Sequence, residues 1–386
     1  MTRELLSLDF YGNEIVAALL AQDEKTNTLR VRRALCKPCS SFAGALVRDM
    51  QGAQEELCAI FNEMATHAQG ALSVVVGLRG HFLSFKRSSG FESVATRNHL
   101  IGTREMDAAL HNSVPTTLPD TLEVVDVLPQ SYSIDGNVGI INPRGMAGFT
   151  LEVETFLSLA LATHLKTLTN VLTACECADF QILPSIIAQA DQLINASEKQ
   201  TNTLLLDIGQ TRTSAAMYYQ GALVEAWEIP FGLNRLARAV ADVLQNDEET
   251  ALDVLRTYEP GTDELIDEVL ETANADLLQA IKKELLESSL LYLQHPSPQM
   301  VLCGTAADKK MIKRCKQIFG ARKIRLAAAE NLVNDCGEAN GQTYAGAIAL
   351  VSHALLREEQ ELGVAQEKPA GIIDGLLDKL GLNELF

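Results

Sequence analysis

An aspartate that ends an apolar strand, followed by glycine and then by small hydroxyl residues, is an arrangement suited to phosphate. It occurs in Leu204–Gly221, LLLDIGQTRTSAAMYYQG. The apolar run carries Asp207 to the rim of a site, where a carboxylate can hold a metal through water. The turn at Gly209 can aim backbone N–H groups at an anion, and Gln210, Thr211 and Thr213 add contacts. Leu5–Leu20, LLSLDFYGNEIVAALL, is a weaker echo, with Asp9, Gly12 and Asn13 at the corresponding turn. One such aspartate is as readily a strand-end cap. Two in matching contexts, about two hundred residues apart, suggest a duplicated architecture with a cleft between the copies.

The elements that must position these residues follow from the pattern. SLDF, EIVAALLAQ and TLRVRRAL within residues 4–37 read as three strands. Residues 55–68 carry Leu57, Ile60, Phe61 and Met64 at helical spacing, and LSVVVGL (72–78) reads as a buried strand. The order β-β-β-α-β is consistent with a ribonuclease-H-like domain. The second half repeats it: LLLDIG, TSAAMYYQG and LVEAWEIPFG, a helix from about Leu233, then QMVLCG (299–304) and the helix DKKMIKRCKQIF. Residues 82–164 between the halves read as a small α+β insertion. The acid-rich stretch 244–294 reads as helices with solvated faces. After a polar linker, GIIDGLLDKLGLNELF places Ile372, Ile373, Leu376, Leu377 and Leu380 on one face of an amphipathic helix. That helix would anchor to a membrane surface or dock to a partner.

Bulk composition narrows the function classes. With 47% apolar and 21% charged residues the 386-residue chain reads as a soluble protein of two or more domains. A net charge of −18 argues against a general nucleic-acid binder. No stretch is long and apolar enough to span a bilayer, and the first residues lack a signal-peptide pattern. The eight scattered cysteines suit free thiols in a reducing compartment. Cys36 and Cys39 form CKPC, but no histidines are spaced to complete a zinc site.

The chain resembles the bacterial actin-like proteins FtsA, of cell division, and PilM, of type IV pilus assembly. Asp207-Ile208-Gly209 through Thr213 resembles the second phosphate hairpin of that group, and IPFGLNRLARAVA (229–241), with Gly232, resembles the segment that closes it. VLPQSYSIDGNVGIINPRGMAGFTLEVE (127–154) is the most specific match, to FtsA. VLCGTAA (301–307), with Gly304 and Thr305, resembles the segment that meets adenosine. The resemblance implies duplicated ribonuclease-H-type α/β domains with an inserted α+β domain and a C-terminal amphipathic helix. The expected boundaries are a first actin-like domain at 1–81 and 165–198, the insertion at 82–164, and a second domain at 199–340 with helices at about 236–294. A closing helix at 341–358, a linker at 359–370 and the tail at 371–386 complete it.

The resemblance further implies an adaptor that binds ATP, with Mg²⁺ held through water by Asp9 and Asp207. It implies self-association and a partner in the tubulin-like protein FtsZ and other division components. The tail, with Leu385 and Phe386 added to its apolar face, would hold the protein on the inner face of the bacterial cytoplasmic membrane. A PilM-like scaffold that docks a peptide of an inner-membrane protein is the alternative. A sugar or acetate kinase of the same fold is a third, for which no general base is evident. The sequence departs from the group at Tyr11, where glycine is favoured, and at Gln210 and Thr211, where glycines are usual. These departures predict modest ATP binding and little or no turnover.

Overall fold

The computed structural model describes residues 2–365 except 24–27, 71, 97, 178, 260, 290, 291, 293, 295–297, 306, 308, 329–331 and 335–341. In chain order, β1 (Thr2–Tyr11), β2 (Glu14–Asp23), β3 (Thr28–Pro38) and the short pair β4 (Phe42–Ala43) and β5 (Leu46–Val47) lead to α1 (Met50–Ala65) and β6 (Leu72–Leu78). There follow β7 (Leu83–Ser93), α2 (Thr103–Ser113), β8 (Leu122–Ile134), β9 (Asn137–Ile140) and β10 (Thr150–Leu161). Next come α3 (Ala162–Ala174), β11 (Phe180–Pro184), α4 (Ser185–Leu193) and α5 (Ala196–Lys199). The β-β-β-α order then recurs in β12 (Thr203–Ile208), β13 (Thr213–Tyr219), β14 (Ala222–Ile229) and α6 (Asn234–Leu244). Helices α7 (Glu248–Thr257) and α8 (Glu264–Ser288), strand β15 (Gln299–Cys303), α9 (Lys309–Phe319), β16 (Ile324–Leu326), β17 (Leu332–Asn334) and α10 (Ala345–Ala365) complete it.

These elements divide into two units. The first holds Met1–Leu83 with His164–Val351, and the second holds Ser84–Thr163 with the described residues from Ser352 on.

In the first unit one sheet has the order β11-β6-β1-β2-β3-β17 and another the order β14-β13-β12-β15-β16. Strand β1 pairs antiparallel with β2 and parallel with β6, and β12 pairs antiparallel with β13 and parallel with β15. The duplication read from the sequence is therefore present in the strand order. Both central strands are buried on both faces, which is why SLDF and LLLDI are nearly continuous apolar runs. Helix α1 begins earlier than its apolar stripe suggests, because the Asp49 carboxylate accepts from Gln51 N and Gly52 N and caps it. Its buried stripe is Ala53, Leu57, Ile60 and Met64.

In the second unit a sheet of order β7-β10-β8-β9 packs against α2. Its core is Val94, Ile101, Ala109, Tyr132, Ile134, Leu151 and Val153. Asp135 and Gly136 both take positive φ (50° and 81°), the geometry of a tight hairpin turn between β8 and β9. The Asp135 carboxylate accepts from the backbone N–H of Phe149 and Thr150 and so ties the turn to β10.

Cys58 and Cys175 are joined in a disulfide with a Cα–Cα distance of 5.2 Å, which corrects the reading of all cysteines as free thiols. The two lie 117 residues apart, and only the packing of α1 beside the end of α3 brings them together. The linker expected at 359–370 is helical over its first part, because α10 continues past residue 358 to Ala365. Residues 366–370 and the tail with Ile372, Ile373, Leu376, Leu377, Leu380, Leu385 and Phe386 lie outside the described residues. Among the described residues no helix is long and apolar enough to cross a membrane.

Candidate functional site

The two hairpins meet tip to tip inside the first unit. Register places Asp9 beside Gly77 of β6 and Asp207 beside Cys303 of β15, so the two carboxylates occupy equivalent positions of the repeated sheet. Both are fully buried. The turn tips touch: a methyl group on Gly12, whose φ is +66°, would lie 2.7 Å from the Thr211 hydroxyl oxygen.

Between the carboxylates lies Arg79, at the end of β6 and 5% exposed. Its Nε donates to Asp9 Oδ1 and its Nη2 to Asp9 Oδ2, both at 2.7 Å, a two-pronged fork. The same Nη2 lies 2.7 Å from Asp207 Oδ2. Ser185, at the start of α4, adds a hydroxyl to Asp9 Oδ1 at 2.7 Å. Tyr11 donates its hydroxyl to Asp207 Oδ2 at 2.6 Å, and its ring lies under the Arg79 guanidinium, 4.0 Å from centroid to Cζ. Burial works against the arginine's charge, but the Asp207 and Asp9 carboxylates outweigh it and hold the guanidinium protonated. Burial likewise pushes the Tyr11 hydroxyl well above its ordinary value, so it stays a donor. Further out, Ser214 donates to Glu228 at 2.9 Å. Burial raises the Glu228 carboxyl to about 7, with Arg79 and the Ser214 bond opposing the rise.

The backbone closes tightly around this cluster. A Cβ on Gly346 would fall 2.6 Å from Asp9 Oδ2 and 3.0 Å from Arg79 Nη2. A Cβ on Gly304, whose φ is +91°, would fall 2.3 Å from Asp207 Oδ1. Glycine is required at both places for close approach and, at Gly304, for the positive φ.

The residues expected to meet phosphate are largely committed elsewhere. Gly209 N donates to Arg212 O at 2.9 Å within the turn. The start of α6 is turned onto the same hairpin: Leu233 N donates to Gly209 O at 3.1 Å and Asn234 N to Gln210 O at 2.8 Å. Thr213 is buried and donates to Phe231 O at 2.8 Å. Gly232 packs against Gln210 and Arg212. Thr305 donates to Ile208 O at 3.4 Å. Asn13 is exposed, and its carbonyl accepts from Cys39 N. The fold thus gathers Asp9, Gly12, Asp207, Gly209, Gln210, Thr211, Thr213, Gly232 and Gly304 around one cleft. Asn13 and Thr305 sit at its margin.

The arrangement does not fit the Mg²⁺–ATP expected there. Mg²⁺ takes six oxygen ligands, usually keeping several waters, yet the Arg79 guanidinium occupies both Asp9 oxygens and Asp207 Oδ2, leaving the buried Asp207 Oδ1 as the one carboxylate oxygen of the pair without a partner. The pocket at the hairpin tips, lined by Tyr11, Gly12, Arg79 and residues 209–212, has a volume of about 10 Å³, enough for about one water and far below the several hundred Å³ of typical ligand pockets. Among the described residues no group of three or more His, Cys, Asp or Glu side chains could hold a metal ion.

The residues that sequence reading missed are Arg79, Ser185, Glu228 and Gly346. Arg79 follows the largely apolar strand β6 and precedes Gly80, and nothing in that local pattern marks it as a partner of the two aspartates. A larger concavity of about 860 Å³ lies between α6 and α8, lined by Arg235, Arg238, Val243, Leu265 and Asp276 among others.

Comparison with known proteins defines the class. The fold is shared with solved actin-like proteins. The structure titled PilM-PilN type IV pilus biogenesis complex superposes with a TM-score of 0.67 at 14% identity, covering 92% of this chain and 98% of that one. MreB 5 of Spiroplasma citri bound to AMPPNP superposes at 0.51 with 14% identity, covering 94% and 99%. The family model described as the SHS2 domain inserted in FtsA matches residues 80–158, the segment that holds β7, α2, β8, β9 and most of β10. The chain is thus an actin-fold protein with an inserted SHS2 domain.

More particularly, it is FtsA-like. It is 22% identical to the cell division protein FtsA of Neisseria meningitidis serogroup B over 244 residues, 62% of this chain and 58% of that protein. The chain spans less than two thirds of the length of the first curated relatives it matches, all cell division proteins FtsA.

Proposed function

We propose that this protein is a cell-division scaffold that links FtsZ-type filaments to the inner face of the bacterial cytoplasmic membrane, at the septum. The observation that carries the reading is the SHS2 segment at residues 80–158, of the kind inserted in FtsA, within an actin-fold chain. The similarity to FtsA proteins supports it. A scaffold needs surfaces rather than turnover, and a cleft filled by its own side chains is compatible with that. The reading takes the body as the self-associating, FtsZ-binding part and residues 371–386 as the membrane contact. The tail carries Lys379 against Asp374, Asp378 and Glu384, so attachment would be mostly hydrophobic, weak per copy and dependent on many copies.

Co-sedimentation tests this directly. Full-length protein is expected to bring FtsZ filaments of the same organism down with lipid vesicles, and protein lacking residues 371–386 is expected to bind the filaments but leave the vesicles. Failure of the full-length protein to bind FtsZ would reject the division role. Vesicle binding by the truncated form would reject the anchor.

A second reading is favoured by one observation: the PilM-PilN complex matches nearly end to end, at 98% of that chain. On this reading the body docks a short peptide of an inner-membrane pilus protein. A pull-down from the native cells separates the two by recovering division or pilus components.

A further inference from the structure

We infer that Arg79 is the resident cation of the inter-hairpin cleft. It takes the place of a metal–nucleotide and latches the two halves of the first unit together without a ligand. The latch is independent of the division reading.

Three observations converge. The first is charge. Two buried carboxylates from strands about two hundred residues apart would repel each other in a site that excludes water. One guanidinium nitrogen lies 2.7 Å from an oxygen of each and removes that repulsion. The arginine sits on the first half, at the end of β6, and Asp207 on the second, so the contact crosses between the halves. The second is space. The Tyr11 ring supports the guanidinium from one face while its hydroxyl binds Asp207. The pocket of about 10 Å³ left at the hairpin tips beside Arg79 has no room for a triphosphate. The third is donors. The N–H groups that a phosphate would use at Gly209, Leu233 and Asn234 are spent on the carbonyls of Arg212, Gly209 and Gln210. A helix start whose first donors are already satisfied has lost much of its attraction for an anion.

The cluster has the properties of a built latch rather than of a side chain resting in a vacant cleft. Asp9 is saturated on both oxygens by Arg79 and Ser185. Gly346 packs so closely on Asp9 Oδ2 and Arg79 Nη2 that a side chain there would collide with both. For Mg²⁺–ATP to enter, Arg79 would have to abandon both carboxylates and the Tyr11 face together.

Thermal unfolding and calorimetric titration of the full chain test this with ATP, with and without MgCl₂. Wild type is expected to give a flat titration at millimolar Mg²⁺–ATP and no Mg²⁺-dependent rise in Tm. Arg79→Ser is expected to lower Tm and to regain part of the loss as MgCl₂ is added, because the facing carboxylates then lack their cation. Arg79→Lys, which keeps one positive charge without the fork, is expected to lie between the two. Saturable Mg²⁺-dependent ATP binding by wild type would overturn the inference. So would Arg79→Ser unfolding at the wild-type temperature in the absence of Mg²⁺. If Arg79→Ser does not fold, the wild-type titration and the Lys variant decide: a Lys variant that also fails to fold would show that shape, not charge bridging, is what the site requires.

Discussion

The two hairpins are near copies in backbone and opposites in chemistry. In each, a buried strand ends in an aspartate, pairs antiparallel with the next strand and lies parallel to a later one. Two positions beyond the residue that faces the aspartate, the first half has Arg79 and the second has Thr305. At the turns, the first half has Tyr11 before Gly12 and the second has Gly209 before Gln210. The first copy therefore supplies the long side chains that cross the cleft, and the second supplies the acceptors that receive them. A duplicated fold fixes where a residue stands. It leaves open which copy reaches and which is reached, and here the asymmetry turns a two-carboxylate cleft into an internal ion cluster.

That comparison can be broken at the carboxylates. Asp9 accepts three hydrogen bonds, two of them from the fork, whereas Asp207 receives one hydroxyl and shares one nitrogen. Asp9→Asn is expected to cost about 2–3 kcal/mol, the scale of lost charge-assisted hydrogen bonds. Asp207→Asn is expected to cost less than about 1 kcal/mol, because removing one of two like charges beside a single cation offsets the lost pair. Urea unfolding of both variants checks this. Equal losses would mean that the two copies play the same part.

Tyr11→Phe sharpens the comparison by removing only the hydroxyl that crosses. The ring under Arg79 stays, and one acceptor of a buried carboxylate loses its neutral donor, at an expected cost of about 1 kcal/mol. The double variant with Asp207→Asn is expected to lose less than the sum, since the hydroxyl's partner has lost its charge.

The smallest effect is in pH. Glu228 has a folded value near 7, above its ordinary 4.5, so the folded state holds a proton that the unfolded chain releases. Its contribution is full below about 4.5 and is lost as pH rises through about 7. Glu228→Gln is expected to show a smaller fall in Tm between pH 5 and pH 8 than wild type. Parallel curves would place the proton elsewhere.

The fold was legible because its signals are local. EIVAALLAQ, LSVVVGL and LLLDIG are buried on both faces and so are written as apolar runs, and the stripe Leu57, Ile60, Met64 repeats at helical spacing. The aspartates and the turn glycines Gly12, Gly209 and Gly304 were legible because strand ends and turns constrain residue type, whereas Gly346 is set by close approach to Asp9 and left no local trace. Arg79 was not. Nothing in GLRG says that its side chain turns inward to meet partners 70 and 128 positions away. The Cys58–Cys175 pairing was hidden for the same reason, because the separation of 117 residues is bridged only by packing.

By itself, then, the sequence determined the duplicated strand order, the inserted segment and the two aspartates that mark equivalent strand ends. Periodicity and turn chemistry act over a few residues and leave their trace in the order of letters. Only the tertiary structure decided what stands between those aspartates. The charge that neutralises a buried carboxylate need only be near in space, and distance along the chain sets no limit on where it comes from.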